Sequence, residues 1–346
     1  MLGAAGAQGW YLMVRRNQRF LSLVVGIMFF FGCHNYLQEY IMHLPGFHVG
    51  VFLGYLEVLG VTVCAAAERQ ISGKTERVSS WSSYASLCVC LVISSATSNI
   101  ALSYINYPTK VVFRSCKLIP TMLIALVYNK RQIPAYEFGF GVLISVGMIV
   151  FAVADFHVSP DFDFTGIVLV CISVAADAFL PNLQERVFEN GSSRVEVTYF
   201  TNLLTLASMT IFFTMTGDIQ EAVSYALLNR HAMAVMALYT FLAYIAISFH
   251  MTLVQEYGGI ATVLVGNTRK ALTIVLSFIL FPKPMSYLYL VGGMLVFGSL
   301  IGIAALKERQ RSIHKRHRSD LEMVDDEALA AERGLLSDYK KTERAK

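Results

Sequence analysis

Apolar runs of about twenty residues, the length that carries a helix across ~30 Å of hydrocarbon, follow one another along almost the whole chain. Ten windows can be drawn, near 19–42, 48–67, 82–102, 107–128, 136–155, 164–185, 196–216, 232–254, 259–281 and 285–306. In hydrocarbon each backbone N–H and C=O must find its partner within the protein, so windows of this length predict helices. No gap between them fits a separate soluble domain. The balance of residue types agrees: 55% of the 346 residues are hydrophobic and 15% charged, against about 25% charged in a soluble protein. The fold predicted is an all-α polytopic membrane protein with ten transmembrane helices. Residues 1–18 form an N-terminal segment and 19–306 the helical domain, while 307–346 form a polar tail whose charge and lost periodicity predict disorder.

The six cysteines (33, 64, 88, 90, 116 and 171) all fall inside windows, which implies no disulfide framework. Cys88-x-Cys90 reads as ordinary packing, and no metal site is expected. The first apolar run is too long for a cleavable signal peptide and lacks a small-residue cleavage site. Arg15, Arg16 and Arg19 precede the first window, and Lys or Arg recur in segments 68–80, 129–135 and 186–195 but not in 43–47, 103–109 or 155–163. Lys307, Arg309, Arg311, Lys315, Arg316 and Arg318 follow the last window. Under the positive-inside rule both termini should be cytosolic, with Arg230 and Lys283 as exceptions to the alternation. The sequon Asn190-Gly191-Ser192 then lies in a cytosolic loop and should stay unglycosylated.

Against this apolar background the run Tyr107–Tyr128 stands out. Its first half carries Lys110, Arg114 and Lys117, spaced to project from one helix face. A Lys or Arg at the bilayer centre costs roughly 2.5–3.5 kcal/mol on insertion scales, so the row should line a wet cavity. A second basic place, Gly266-Asn267-Thr268-Arg269-Lys270, sits in the ninth window. Together Lys117, Lys270, Arg269, Arg114 and Lys110 are the candidate anion-binding residues. Arg suits phosphate oxygens through its planar fork, and Lys acts as a point charge. Lys110 has the alternative of snorkelling to the interface, and Arg269 and Lys270 point about 100° apart on a helix. Gln38, Glu39, Gln184 and Asn267 are candidates for polar cavity lining. Glu57 and Asp177 are candidate counter-ions, and His250 reads as a core histidine.

An internal repeat links the two basic places. Leu37-Gln38-Glu39 returns as Leu183-Gln184-Glu185, Lys117 pairs with Lys270, Lys130 with Lys283, and Gly141 and Gly147 with Gly292 and Gly298. The unit is five helices, about 19–155 and 164–306. Five is odd, so the second copy must lie inverted in the bilayer, a construction that places substrate at the midplane between the halves.

The runs NYPTKVVFRSCKLIP, DAFLPNLQE and TRKALTIVLSF resemble the nucleotide-sugar transporter family, of the solute carrier 35 type in the drug/metabolite transporter superfamily, over residues 20–306. They are most similar to the branch of the PAPS (3′-phosphoadenosine-5′-phosphosulfate) and UDP-galactose transporters, and within it to the second type of PAPS transporter. The resemblance implies the drug/metabolite transporter fold and a Golgi or endoplasmic reticulum membrane. It also implies antiport by alternating access of an activated donor, PAPS or alternatively UDP-galactose, UDP-N-acetylglucosamine or another UDP-sugar, against a nucleoside monophosphate. The family's basic ends of helices four and nine fall on Lys117, Arg269 and Lys270. Where the guanosine-sugar branch carries GALNK this chain has GNTRK, which turns the reading away from a GDP-sugar. No cofactor and no nucleic-acid partner are expected, and a homodimer is left open. A membrane-embedded transferase would need clustered acidic or His residues, and Asp161-Phe162-Asp163 is the only close acidic pair noted. A carrier of small phosphorylated metabolites on the same fold is the other alternative.

Overall fold

Helix falls on each of the ten apolar windows in the computed structural model, as eleven helical segments among the described residues. The structure describes residues 2–42 and 44, 50–155 except 74, 102 and 106, 163–216, 229–280, and 287–306 except 289 and 304. The tail from 307, Lys283 and the turn 156–162 lie outside them. In chain order the segments are α1 (Leu2–Met42), α2 (Gly50–Ser72), α3 (Trp81–Ala101), α4 (Tyr107–Ser115), α5 (Leu118–Val127) and α6 (Ala135–Asp155). They continue with α7 (Phe164–Glu189), α8 (Arg194–Thr216), α9 (Arg230–Tyr257), α10 (Gly259–Leu280) and α11 (Leu290–Ile303). Five stretches are by themselves long and apolar enough to cross a membrane: Asn17–Met42, Trp81–Ala101, Phe164–Glu189, Arg194–Thr214 and Arg230–Tyr257. Leu118–Val127, Ala135–Val150 and Leu290–Ile303 are shorter apolar helices. The chain is an all-helical membrane protein.

The outer faces are what lipid requires. Leu21, Val25 and Phe29 make an exposed stripe at four-residue spacing on α1, and Phe164, Val168 and Ile172 do the same on α7. Local signals set the helix starts and stops. The Asp163 carboxylate accepts from the Gly166 N–H at 3.1 Å and caps α7, and Asn229 accepts from Ala232 N–H at 3.2 Å to cap α9. Gly258, with φ +86°, is the whole of the turn from α9 to α10. A Cβ there would come within 2.6 Å of an Arg131 nitrogen and 2.8 Å of a Glu185 oxygen, so both the backbone and the space ask for glycine.

The fourth window differs from the continuous span expected over 107–128: it breaks at Cys116–Lys117 into α4 and α5. Pro120 supplies the reason. A proline has no N–H and its ring crowds the carbonyl four residues earlier, here that of Cys116. Pro181 acts on α7 in the same register, four residues after Asp177. There the Asn182 amide donates to the Ala178 carbonyl at 3.0 Å and to the Thr121 carbonyl at 3.1 Å, tying α7 to α5.

In packing, α3 lies along α7 and α1 along α9, while α2 faces α8. Ser173 donates to the Ser94 carbonyl at 2.7 Å in the α3–α7 seam, as small hydroxyl residues at close helix contacts do. Leu118, Met122, Ile144, Met148, Val263, Ala271, Val296 and Ile303 form a core shared by α5, α6, α10 and α11. Within it a Cβ on Gly147 would stand 3.0 Å from the Gly292 carbonyl, so α6 and α11 meet almost backbone to backbone. A second core of Tyr84, Leu87, Val187, Phe188, Val197, Phe200, Met251 and Val254 joins α3, α7, α8 and α9.

Candidate functional site

Three basic side chains sit at the middle of their elements. Lys117 falls at the break halfway along α4–α5, and Arg269 and Lys270 fall halfway along α10. A cavity of about 170 Å³ brings all three together. Its wall is completed by Gln184 and Pro181 from α7, His250 from α9, Asn267 and Thr262 from α10, and Phe31 from α1. Five separate parts of the chain thus reach one place, and all three cations face the shared cavity.

The electrostatics are uneven. Asp177, halfway along α7, takes the Lys117 ammonium at 2.9 Å and the Arg114 guanidinium at 3.4 Å on one carboxylate oxygen. Arg114 also donates to the Ser98 hydroxyl at 3.3 Å. The Arg269 guanidinium lies over the Phe31 ring, 4.8 Å from its centroid, a favourable cation–π placement. Lys270 is accessible from the cavity. Among the described residues no carboxylate lies in ion-pair range of it. The charges of Lys117, Arg114 and Lys270 all act on Asp177, so three cations share that carboxylate. The neutral lining is also under-used. Asn267 is 3% exposed, and its amide nitrogen has no hydrogen-bond partner among the described residues. Leaving such a donor buried and unpaired costs about 1–3 kcal/mol, a cost that a ligand acceptor would remove.

Of the residues singled out in the sequence, Lys117, Lys270, Arg269, Gln184 and Asn267 line this cavity. Arg114 stands behind it, on Asp177. Lys110 is buried in α4 and is absent from the wall. Gln38 and Glu39 are exposed near the far end of α1, away from it. Glu57, expected as a counter-ion for Lys or Arg, instead accepts from the Tyr239 hydroxyl at 3.2 Å and stands 3.7 Å from His34 Nε2. His34 stacks on the Tyr239 ring, so this is a separate aromatic–carboxylate cluster among α1, α2 and α9. His250, read as a core histidine, lines the cavity, because α9 turns that face toward α10 rather than into the packed core. Phe31 carried no sequence signal for its place beneath Arg269.

The comparisons with known proteins bear on the same stretch. The model of the UAA transporter family matches residues 19–307. The chain belongs to the UAA transporter family. It is a transporter and not an enzyme. Among curated relatives, this UAA family chain is 31% identical over 281 residues to "Adenosine 3'-phospho 5'-phosphosulfate transporter 2" of Caenorhabditis elegans, covering 80% of this chain and 77% of that protein. The human protein of the same name is 31% identical over 281 residues, covering 80% of this chain and 70% of the relative. "UDP-galactose/UDP-glucose transporter 4" of Arabidopsis thaliana is 26% identical over 293 residues, with 83% and 82% covered. A solved crystal structure superposes with a TM-score of 0.62 at 12% identity, covering 83% of this chain and 97% of its own, which extends the likeness in fold.

Proposed function

We propose that this UAA family chain is an antiporter that brings PAPS into the lumen of the Golgi or endoplasmic reticulum in exchange for a nucleoside monophosphate. The observation that carries the reading is the cavity itself: Lys117, Arg269 and Lys270 converge at mid-helix depth beside neutral amides. Three cations answer a cargo with several phosphate charges, whereas a neutral sugar or a lone amine would offer them no anion. The PAPS transporters among the relatives support the choice of donor.

Alternating access by two inverted halves is supported by the packing. Exchange of helices one to five with six to ten turns the α3–α7 seam into the α9–α1 seam and leaves α2–α8 unchanged, and these are the three most extensive pairings. The cavity of about 170 Å³ is below the roughly 300–1,000 Å³ usual for small-molecule sites, so loading requires the halves to part. The break at Cys116–Lys117, and Pro181 within the continuous α7, give α4–α5 and α7 places to bend. Lys110, Arg114, Gln38 and Glu39, which are absent from the wall of the closed cavity, would come into play in the parted form. Cytosolic termini follow from the charge pattern of the loops.

A second reading is a UDP-sugar antiporter, favoured by the Arabidopsis relative and compatible with the same cations. Uptake of labelled PAPS, UDP-galactose and UDP-N-acetylglucosamine into proteoliposomes preloaded with AMP or UMP decides between them. PAPS uptake driven by AMP is the expected result. Uptake of a UDP-sugar driven by UMP selects the second reading, and equal uptake into vesicles without nucleotide contradicts exchange.

A further inference from the structure

The mid-helix cations are not all alike. Lys117 and Arg114 are held by Asp177, at 2.9 and 3.4 Å on a single oxygen, while among the described residues Lys270 has no carboxylate in ion-pair range. Asp177 stands one turn from Leu180 and Pro181 and two turns from Gln184, all cavity-lining, so it belongs to the face of α7 that looks toward the cavity. It is 17% exposed in its side chain, and the Lys117 side chain it binds is 23% exposed and reaches the cavity wall. Lys117 lies at a backbone break, where α4 ends and α5 begins, and Pro181 frees the backbone carbonyl of Asp177 within the continuous helix α7.

We infer that Asp177 is a built-in competing anion: it holds Lys117 and Arg114 until cargo arrives, and the cargo phosphate binds by taking Lys117 from it. The inference rests on the proposed reading of the cavity as a nucleotide site. Its consequence is a split between affinity and turnover. The carboxylate weakens binding of every phosphorylated ligand, and it speeds release by taking the ammonium back as the phosphate leaves. Lys270, without such a competitor, supplies the grip that Asp177 does not oppose. Asp177 is thus a positioning residue, acting on cargo through Lys117.

The test is Asp177→Asn, with AMP and inorganic pyrophosphate as probes in titrations of purified protein, and exchange measured in proteoliposomes. The expected result is about five- to tenfold tighter binding of both probes, a lower KM and a lower maximal exchange rate, the lower end of ordinary coupling between sites. Binding unchanged or weakened in folded Asp177→Asn protein overturns the inference. Should that variant fail to accumulate, Arg114→Gln is compared with the pair Arg114→Gln/Asp177→Asn, which keeps Lys117 and removes one cation together with the carboxylate. Tighter binding by the pair than by Arg114→Gln, per folded molecule, is expected, and equal or weaker binding overturns it. If wild-type protein binds neither probe, the nucleotide-site reading fails instead, so the two failures are distinct.

Discussion

The face that carries the loops 75–80, 129–134 and 190–193 and the middle of the bundle treat charge in opposite ways. On the loop face carboxylates are answered. Glu196, 1% exposed, accepts from the Val78 N–H at 2.7 Å, the Ser79 N–H at 3.2 Å and the Tyr84 hydroxyl at 2.5 Å. Glu68 holds Arg194 and accepts from the Tyr244 hydroxyl. Glu185 takes Arg131 at 2.9 Å and the Gly259 N–H at 2.8 Å, and Glu256 takes Arg19. In the middle, Lys117, Arg114 and Lys270 share Asp177. A buried carboxylate surrounded by donors fastens loops and helices together. Cations in excess at the same depth destabilise the protein unless something anionic visits. The first region is built to hold, and the second to bind.

Breaking the two regions should therefore give different losses. The largest is expected on the loop face. Glu196→Ala leaves three backbone N–H groups, of Val78, Ser79 and Ser193, and a buried hydroxyl without their acceptor, at a cost of about 3 kcal/mol. Thermal unfolding of detergent-purified protein should show a midpoint lowered by several degrees. Nucleotide affinity per folded molecule should be unchanged; a changed affinity with an unchanged midpoint would erase the contrast.

Gly258→Ala is the next step down. It forces a Cβ onto a φ of +86° and against the Arg131–Glu185 pair. At its ψ of 168° this is a conformation reached almost only by glycine, which costs an alanine of order 1–3 kcal/mol, and the crowding adds to it. A smaller drop in unfolding midpoint is expected, with Ala no worse than Gly as the contrary outcome. Smallest of all is Arg19→Ala, whose guanidinium is 62% exposed in its pair with Glu256. Such exposed pairs contribute roughly 0–1 kcal/mol, so the midpoint should hardly move. A drop as large as that of Glu196→Ala would show that exposure does not grade this face.

Much of the bundle was legible in the residues, because lipid leaves a chain few options. Each apolar window became helix, and the glycines of the repeat, Gly147 and Gly292, mark the close approach of α6 and α11. The cations at 117, 269 and 270 were legible too, since a charge in an apolar window needs a wet place. Other features depended on which faces meet. Leu37-Gln38-Glu39 and Leu183-Gln184-Glu185 are identical tripeptides, yet Gln184 lines the cavity while Gln38 is exposed. Sequence identity over three residues fixes no environment. Glu57 could not be assigned to His34 and Tyr239 without knowing that α1, α2 and α9 converge there. His250 and Phe31 likewise acquire meaning only from the helix opposite. The break at Lys117 was within reach, because Pro120 stands four residues after Cys116.

The claim on which the rest depends is that the cations at 117 and 270 grip phosphate. Titration of AMP into purified wild-type, Lys117→Ala and Lys270→Ala protein addresses it directly. Loss of one charge-assisted contact removes about 1.5–3 kcal/mol, so each variant should bind at least about tenfold more weakly per folded molecule. Wild-type affinity in either folded variant would contradict the account.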